Sequence, residues 1–228
     1  MWYRLFKYVL LGPALWLVGR PTVEGREHLP ASGPAIVAAN HLAMVDSLFL
    51  ALVLRRRVTF LAKQEYFAGR GPVAALRAWF FRATGQIPVD RRGGSAAMGA
   101  LEAARGVLAA GGVWAIHPEG TRSPDGRLYR GRTGVMRVAL ATRAPVVPVV
   151  LRGTREINPP GRRAWQAWRP GRVHVTICAP LDLSPYQRHP VTGATARAAT
   201  DALMRVLAER SGQDYVDVYA ADARRPAA

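Results

Sequence analysis

Cysteine is almost absent. The 228 residues contain one, so no intrachain disulfide framework can form. That residue, Cys178, closes the apolar run Val173-His174-Val175-Thr176-Ile177-Cys178 and is read as buried strand filler in a protein of a reducing compartment. Acidic side chains are scarce too: 15 Asp and Glu against 32 Lys and Arg leave a formal net charge of +17. Such an excess speaks of anionic partners, whether a lipid surface, nucleic acid or an acidic carrier protein. Also missing are a GxSxG elbow, a Walker A loop, an HExxH helix and a CxxC pair, which removes the hydrolase, nucleotide-phosphate and zinc readings they would carry. The carboxylates and histidines have no recognisable ligand spacing, so no metal is expected. Gly69-Arg70-Gly71-Pro72 imitates a dinucleotide fingerprint, but the proline and the charges before it mark a turn into a helix.

No apolar run reaches the roughly 20 residues that a spanning helix needs. The first nineteen residues come nearest, yet Arg4, Lys7, Gly12 and Pro13 interrupt them. With Trp2, Tyr3 and Trp16, basic residues and no acid before Glu24, they are expected to lie in a membrane interface, aromatics at headgroup level and cations on lipid phosphate. An amphipathic core helix is the competing reading. Residues 1–20 are therefore set apart as a membrane-associated segment, 21–211 as one domain, and 212–228 as a tail, where periodicity is lost.

Past residue 30, short apolar runs alternate with longer amphipathic ones. This pattern predicts an α/β fold, a largely parallel or mixed sheet flanked by helices. Strands are expected at Ala35 to Ala39, Val58 to Ala62, Gln86 to Val89, Val113 to Ile116, Val146 to Leu151 and Val173 to Ile177. Helices are expected at Ser47 to Leu54, Pro72 to Ala83, Ser95 to Ala110, Gly134 to Thr142 and Ala194 to Arg210. Residues 158–171, with Trp165 and Trp168, read as a loop or a second membrane contact.

Polar blocks sit at the ends of these strands, where open α/β sheets build their sites. The first is Asn40-His41-Leu42-Ala43-Met44-Val45-Asp46. Five residues of helix turn through about 500°, which would leave His41 and Asp46 about 140° apart, so their pairing requires a loop between them. Given that loop, Asp46 can hold one ring nitrogen and leave the other as a base. Asp46 can equally cap the following helix, and the two roles are compatible. The second block is His117-Pro118-Glu119-Gly120-Thr121-Arg122-Ser123, with a guanidinium fork, hydroxyls and a glycine that lets backbone approach an anion. Glu119 fits an anion site only by holding an arginine. The third, Gly85-Gln86-Ile87-Pro88-Val89-Asp90-Arg91, ends in a basic residue; the fourth, Ala144 to Val150, carries Pro148, which suggests an edge strand or a bulge. Lys63 ends another strand and can add positive charge.

In this order, over residues 20 to 180, the four blocks resemble the 1-acylglycerol-3-phosphate acyltransferases, the PlsC-type glycerolipid acyltransferases, whose marks are NHxxxxD, a Gly-to-Arg block, PEGTRS and a late valine-proline block. The resemblance implies transfer of a fatty acyl group from an acyl-CoA or acyl carrier protein thioester to the free hydroxyl of lysophosphatidate, giving phosphatidate in phospholipid synthesis. It implies His41 as general base, Asp46 as its partner, and Arg91, Glu119, Gly120, Thr121 and Arg122 as the acceptor phosphate site. No cofactor is implied. The expected partners are the lysophospholipid, the acyl donor and an anionic membrane surface, and the expected place is peripheral or monotopic on the cytoplasmic face of the cell membrane. One position departs: His117 stands where the family more often has Phe. The alternatives are the same chemistry on a glycolipid, glycerol 3-phosphate or another lysophospholipid, and a non-catalytic basic protein binding membrane or nucleic acid. No nucleic-acid motif is present, and binding alone leaves a His and Asp pair at a strand end unexplained.

Overall fold

The computed structural model describes residues 2–89, 94–159 and 169–223. Nine strands are assigned among them: β1 Thr22–Glu24, β2 Ala35–Ala39, β3 Val58–Lys63, β4 Ile87–Val89, β5 Val113–Ile116, β6 Leu128–Tyr129, β7 Val146–Arg152, β8 His174–Ile177 and β9 Tyr215–Val216. Seven form one sheet in the order β1-β8-β7-β2-β5-β3-β4; only β7 and β8 are antiparallel neighbours, so the expected α/β class and mixed sheet are found. The unexpected β1, β6 and β9 are two or three residues long, too short to show an alternation in sequence.

Strand β2 is buried along its whole length, as a central strand covered on both faces must be. Ala35, Val37 and Ala39 face one core with Phe49, Leu50 and Val53 of the Asp46–Val53 helix. Ile36 and Ala38 face the other, with the Gly94–Ala109, Gly134–Thr142 and Gly193–Ser211 helices. The chain therefore leaves β2 towards one face and leaves its neighbour β5 towards the other. Their carboxyl ends are therefore the switch point, the place where such sheets bind ligands.

Pro148 lies in an interior strand, not at an edge. Alternation turns its missing N–H towards β8, opposite Cys178 and one residue past the last residue of β8, so the ladder loses one bond at its end; Cys178 N–H still donates to the Pro148 carbonyl at 2.9 Å.

The amino-terminal segment is two short helical pieces, broken at Leu11 with Pro13 in the first turn of the Gly12–Gly19 helix. It is docked on the domain. Leu15 is in the core, and a side chain at Gly19 would strike the Phe49 ring at 2.4 Å. The Tyr3 hydroxyl donates to the Ala51 carbonyl at 3.3 Å and accepts from Val58 N–H at 3.4 Å. Lys7, expected on lipid phosphate, turns inward and donates to the Leu54 carbonyl at the end of the Asp46–Val53 helix. Burial, reinforced by Arg26, lowers its ammonium to about 8. Trp2 packs edge-on against Trp79 at 5.1 Å, while Trp16 and Leu17 stay exposed. No helix among the described residues is long and apolar enough to cross a membrane.

Candidate active site

His41 follows β2 in a loop that doubles back before the next helix begins at Asp46. The reversal that a regular helix would forbid brings His41 Nδ1 to 2.9 Å from Asp46 Oδ2. The same oxygen accepts the Leu42 and Ala43 amides at 2.6 and 2.8 Å, while Oδ1 is buried without a hydrogen-bond partner. Asp46 is thus the first residue of its helix, its carboxylate turned back onto the loop, and its side chain caps no helical amide. At that position the helix dipole also favours its negative charge. Asp46 is wholly buried, whereas the His41 side chain keeps 18% exposure at the cleft. With Nδ1 donating to the carboxylate, Nε2 is the ring's basic atom, and it has no hydrogen-bond partner among the described residues.

Glu119 reaches the His41 loop from the second block. Its carboxylate is buried and divided between two main-chain donors: Oε1 accepts His41 N–H at 2.9 Å and Oε2 accepts Tyr129 N–H at 3.0 Å. These two bonds give the carboxylate a part in holding the loop, beside the place expected for it in a phosphate site. Burial raises this acid to about 7, against the opposing pull of the two amides and with a smaller push from Asp46. From the other side of the loop, Ser123 N–H donates to the His41 carbonyl at 2.7 Å. Both main-chain polar groups of His41 are therefore held by the PEGTRS block, a fact that a linear motif cannot display.

His117 lies face to face with His41, ring centroids 3.9 Å apart and planes within 8°. Its Nδ1–H is shared between the Ala39 and Asn40 carbonyls, each at 3.0 Å, and its Nε2 accepts from the Ser47 hydroxyl at 3.2 Å. Both ring nitrogens are thus engaged within the protein, and the ring offers His41 a flat face, as a phenyl would. Desolvation, then the neighbouring His41, lowers His117 to about 3, which keeps it neutral beside the base. Phe60 lies on the same stack at 5.9 Å.

Gly120 has φ +76°, the left-handed region, and closes a turn by donating to the His117 carbonyl at 3.0 Å. Beside it lie the half-buried Thr121 and Arg122. The Arg132 side chain lies within 3.1 Å of where a Gly120 side chain would start; this cation was missed because it belongs to no recognised block. Lys63, exposed at the end of β3, shares the same sheet edge. Arg91 and Trp165 and Trp168 lie outside the described residues. Among the described residues no group of three or more His, Cys, Asp or Glu side chains could hold a metal ion.

Residues 20–152 match the family model described as Acyltransferase. The chain is 32% identical over 160 residues to the chloroplastic 1-acyl-sn-glycerol-3-phosphate acyltransferase of Arabidopsis thaliana, covering 70% of this chain and 43% of that one. It is 32% identical over 177 residues to the alpha 1-acyl-sn-glycerol-3-phosphate acyltransferase of Mus musculus, covering 76% and 59%. The chain thus spans about half the length of these relatives. The crystal structure of the 1-acyl-sn-glycerophosphate acyltransferase PlsC of Thermotoga maritima superposes with a TM-score of 0.63 at 27% identity, over 86% of this chain and 73% of that one. A matched span that begins just before β1, ends with β7 and encloses both the His41–Asp46 loop and the Glu119–Arg122 turn leaves one conclusion: this chain belongs to the acyltransferase family.

Proposed function

We propose that the protein transfers a fatty acyl group from an acyl thioester to the free hydroxyl of lysophosphatidate. The observation that carries this reading is the 2.9 Å contact between His41 Nδ1 and buried Asp46, which leaves Nε2 free on a partly exposed ring just past the carboxyl end of β2. His41 Nε2 takes the acceptor's hydroxyl proton as that oxygen attacks the thioester carbonyl. Asp46 stabilises the imidazolium. The tetrahedral intermediate then collapses, the carbon–sulfur bond breaks, and the imidazolium returns its proton to the departing thiolate. Residue chemistry requires no covalent acyl-enzyme, metal or cofactor for these steps.

Arg122, Gly120 and Thr121, with Arg91, hold the acceptor's phosphate in this reading, and Arg132 adds charge behind Gly120. Glu119 is assigned to bracing the loop rather than to substrate. The donor is acyl-CoA or acyl carrier protein. Work at a membrane surface is supported by exposed Trp16 and Leu17, and a peripheral place on the cytoplasmic face is part of the proposal. Incubation of the purified protein with labelled palmitoyl-CoA and a panel of lysophosphatidate, glycerol 3-phosphate, other lysophospholipids and glycolipids tests it. Labelled phosphatidate is expected; product from another acceptor alone would reassign the pocket, and product from none would remove the activity.

A further inference from the structure

The carboxyl-terminal segment returns to the site from beyond the span shared with the family model. At Gly212, with φ +70°, the chain leaves the Gly193–Ser211 helix and turns towards the end of β2. Gln213 Oε1 accepts from Asn40 Nδ2 at 2.7 Å, and Gln213 Nε2 donates to the Gly126 carbonyl at 2.6 Å. Asn40 immediately precedes His41 and is wholly buried. Its remaining hydrogen bonds go to the Leu151 amide and carbonyl at 2.8 and 3.0 Å, at the end of β7. Without Gln213, one N–H of the wholly buried Asn40 would lose its partner.

The next residues reach His41 by a second route. β9 pairs in parallel with β6, with Leu128 N–H on the Asp214 carbonyl at 2.9 Å and Arg130 N–H on Val216 at 3.1 Å. The amide between them, Tyr129 N–H, points the other way and holds Glu119, which holds the His41 amide.

We propose that Gln213–Val216 is a positioning clasp for the His41 base, acting mainly through the Gln213 to Asn40 hydrogen bond and supported by the β9–β6–Glu119 connection. Gln213 touches no reacting atom; it acts by holding the residue before the base and the loop opposite. The inference rests on the reading of His41 as the base.

Three variants and His41→Ala, assayed with acyl-CoA and lysophosphatidate each varied in turn, test it. Gln213→Met, similar in size but without donor or acceptor, is expected to lower kcat about 10-fold per folded molecule, with either KM changed less than about 2-fold, because misplacing a base penalises the step and not binding. Gln213→Glu keeps an acceptor for Asn40 but sets its second oxygen against the Gly126 carbonyl, so it is expected to recover part of the loss; no recovery over Met would overturn the Asn40 route. Thr192→Ala removes the cap that accepts the Thr195 amide and so weakens the same helix from its other end. It should lower Tm yet leave kcat per folded molecule unchanged. If it slows turnover as much as Gln213→Met does, or if Gln213→Met turns over normally, the clasp is wrong. If instead His41→Ala itself retains turnover, the base assignment fails first.

Discussion

At the end of β2 nearly every polar group has a partner: His41 is held through its ring, its amide and its carbonyl, Asp46 accepts three hydrogen bonds on one oxygen, and Glu119 is divided between two amides. At the end of β5, Gly120 is exposed and Thr121 and Arg122 are half-buried, in a turn that lies closer to solvent. The contrast follows from the work proposed for each half. A base must hold its geometry to a fraction of an ångström, whereas a cation that grips phosphate works over a broader range and gains from reaching solvent.

The largest break is expected in the wired half. His41→Ala should leave the fold intact and lower kcat by about 10²- to 10⁴-fold, the usual scale for a positioned general base, as read in a single-turnover assay. Near-normal turnover would erase the distinction between the halves.

Glu119→Gln comes next, because an amide can accept from only one of the two main-chain donors and sets its own N–H against the other. A loss in kcat of about 10- to 100-fold, with unchanged KM, is expected from the loosened His41 loop. The same residue has a pH signature. An acid raised to about 7 in the folded chain keeps a proton that the unfolded chain loses near 4.5. Its contribution is fully present below that lower value and is lost as pH rises through 7. Denaturant titrations should therefore show wild type losing ground to Glu119→Gln between pH 4.5 and 7, by up to roughly 3 kcal/mol. A flat difference would mean that the carboxylate is better solvated than its surroundings indicate.

Arg122→Ala sharpens the comparison from the open half. The acceptor KM should rise about 10-fold with a smaller fall in kcat, and lysine should rescue poorly because a point charge replaces a fork. Arg91 carries the same expectation from sequence. An increase confined to the acyl-CoA KM would move these arginines to the donor.

The smallest effect belongs to His117→Phe. The flat face under His41 is retained and only the bonds to Ala39, Asn40 and Ser47 are lost, so kcat should stay within about 5-fold, whereas His117→Ala, which removes the stack, should cost more. Equal losses in both variants would show that the hydrogen bonds, not the ring, carry the role.

Local pattern determined much of this protein. The runs at Ala35–Ala39 and Val113–Ile116 and the helices at Pro72–Ala83 and Gly134–Thr142 stand where apolar periodicity puts them, because burial of one face or stripe is a local property of the chain. A loop between His41 and Asp46 is what their pairing requires, but the sequence by itself leaves that pairing open. What only the tertiary structure decided are the contacts between segments distant in sequence: Glu119 on the His41 amide, His117 under its ring, Lys7 turned to Leu54, Pro148 inside the sheet, and Gln213 on Asn40 across 173 positions. A buried carboxylate or amide takes whichever donor the packing brings within 3 Å, and no residue's own neighbours in sequence specify which that will be.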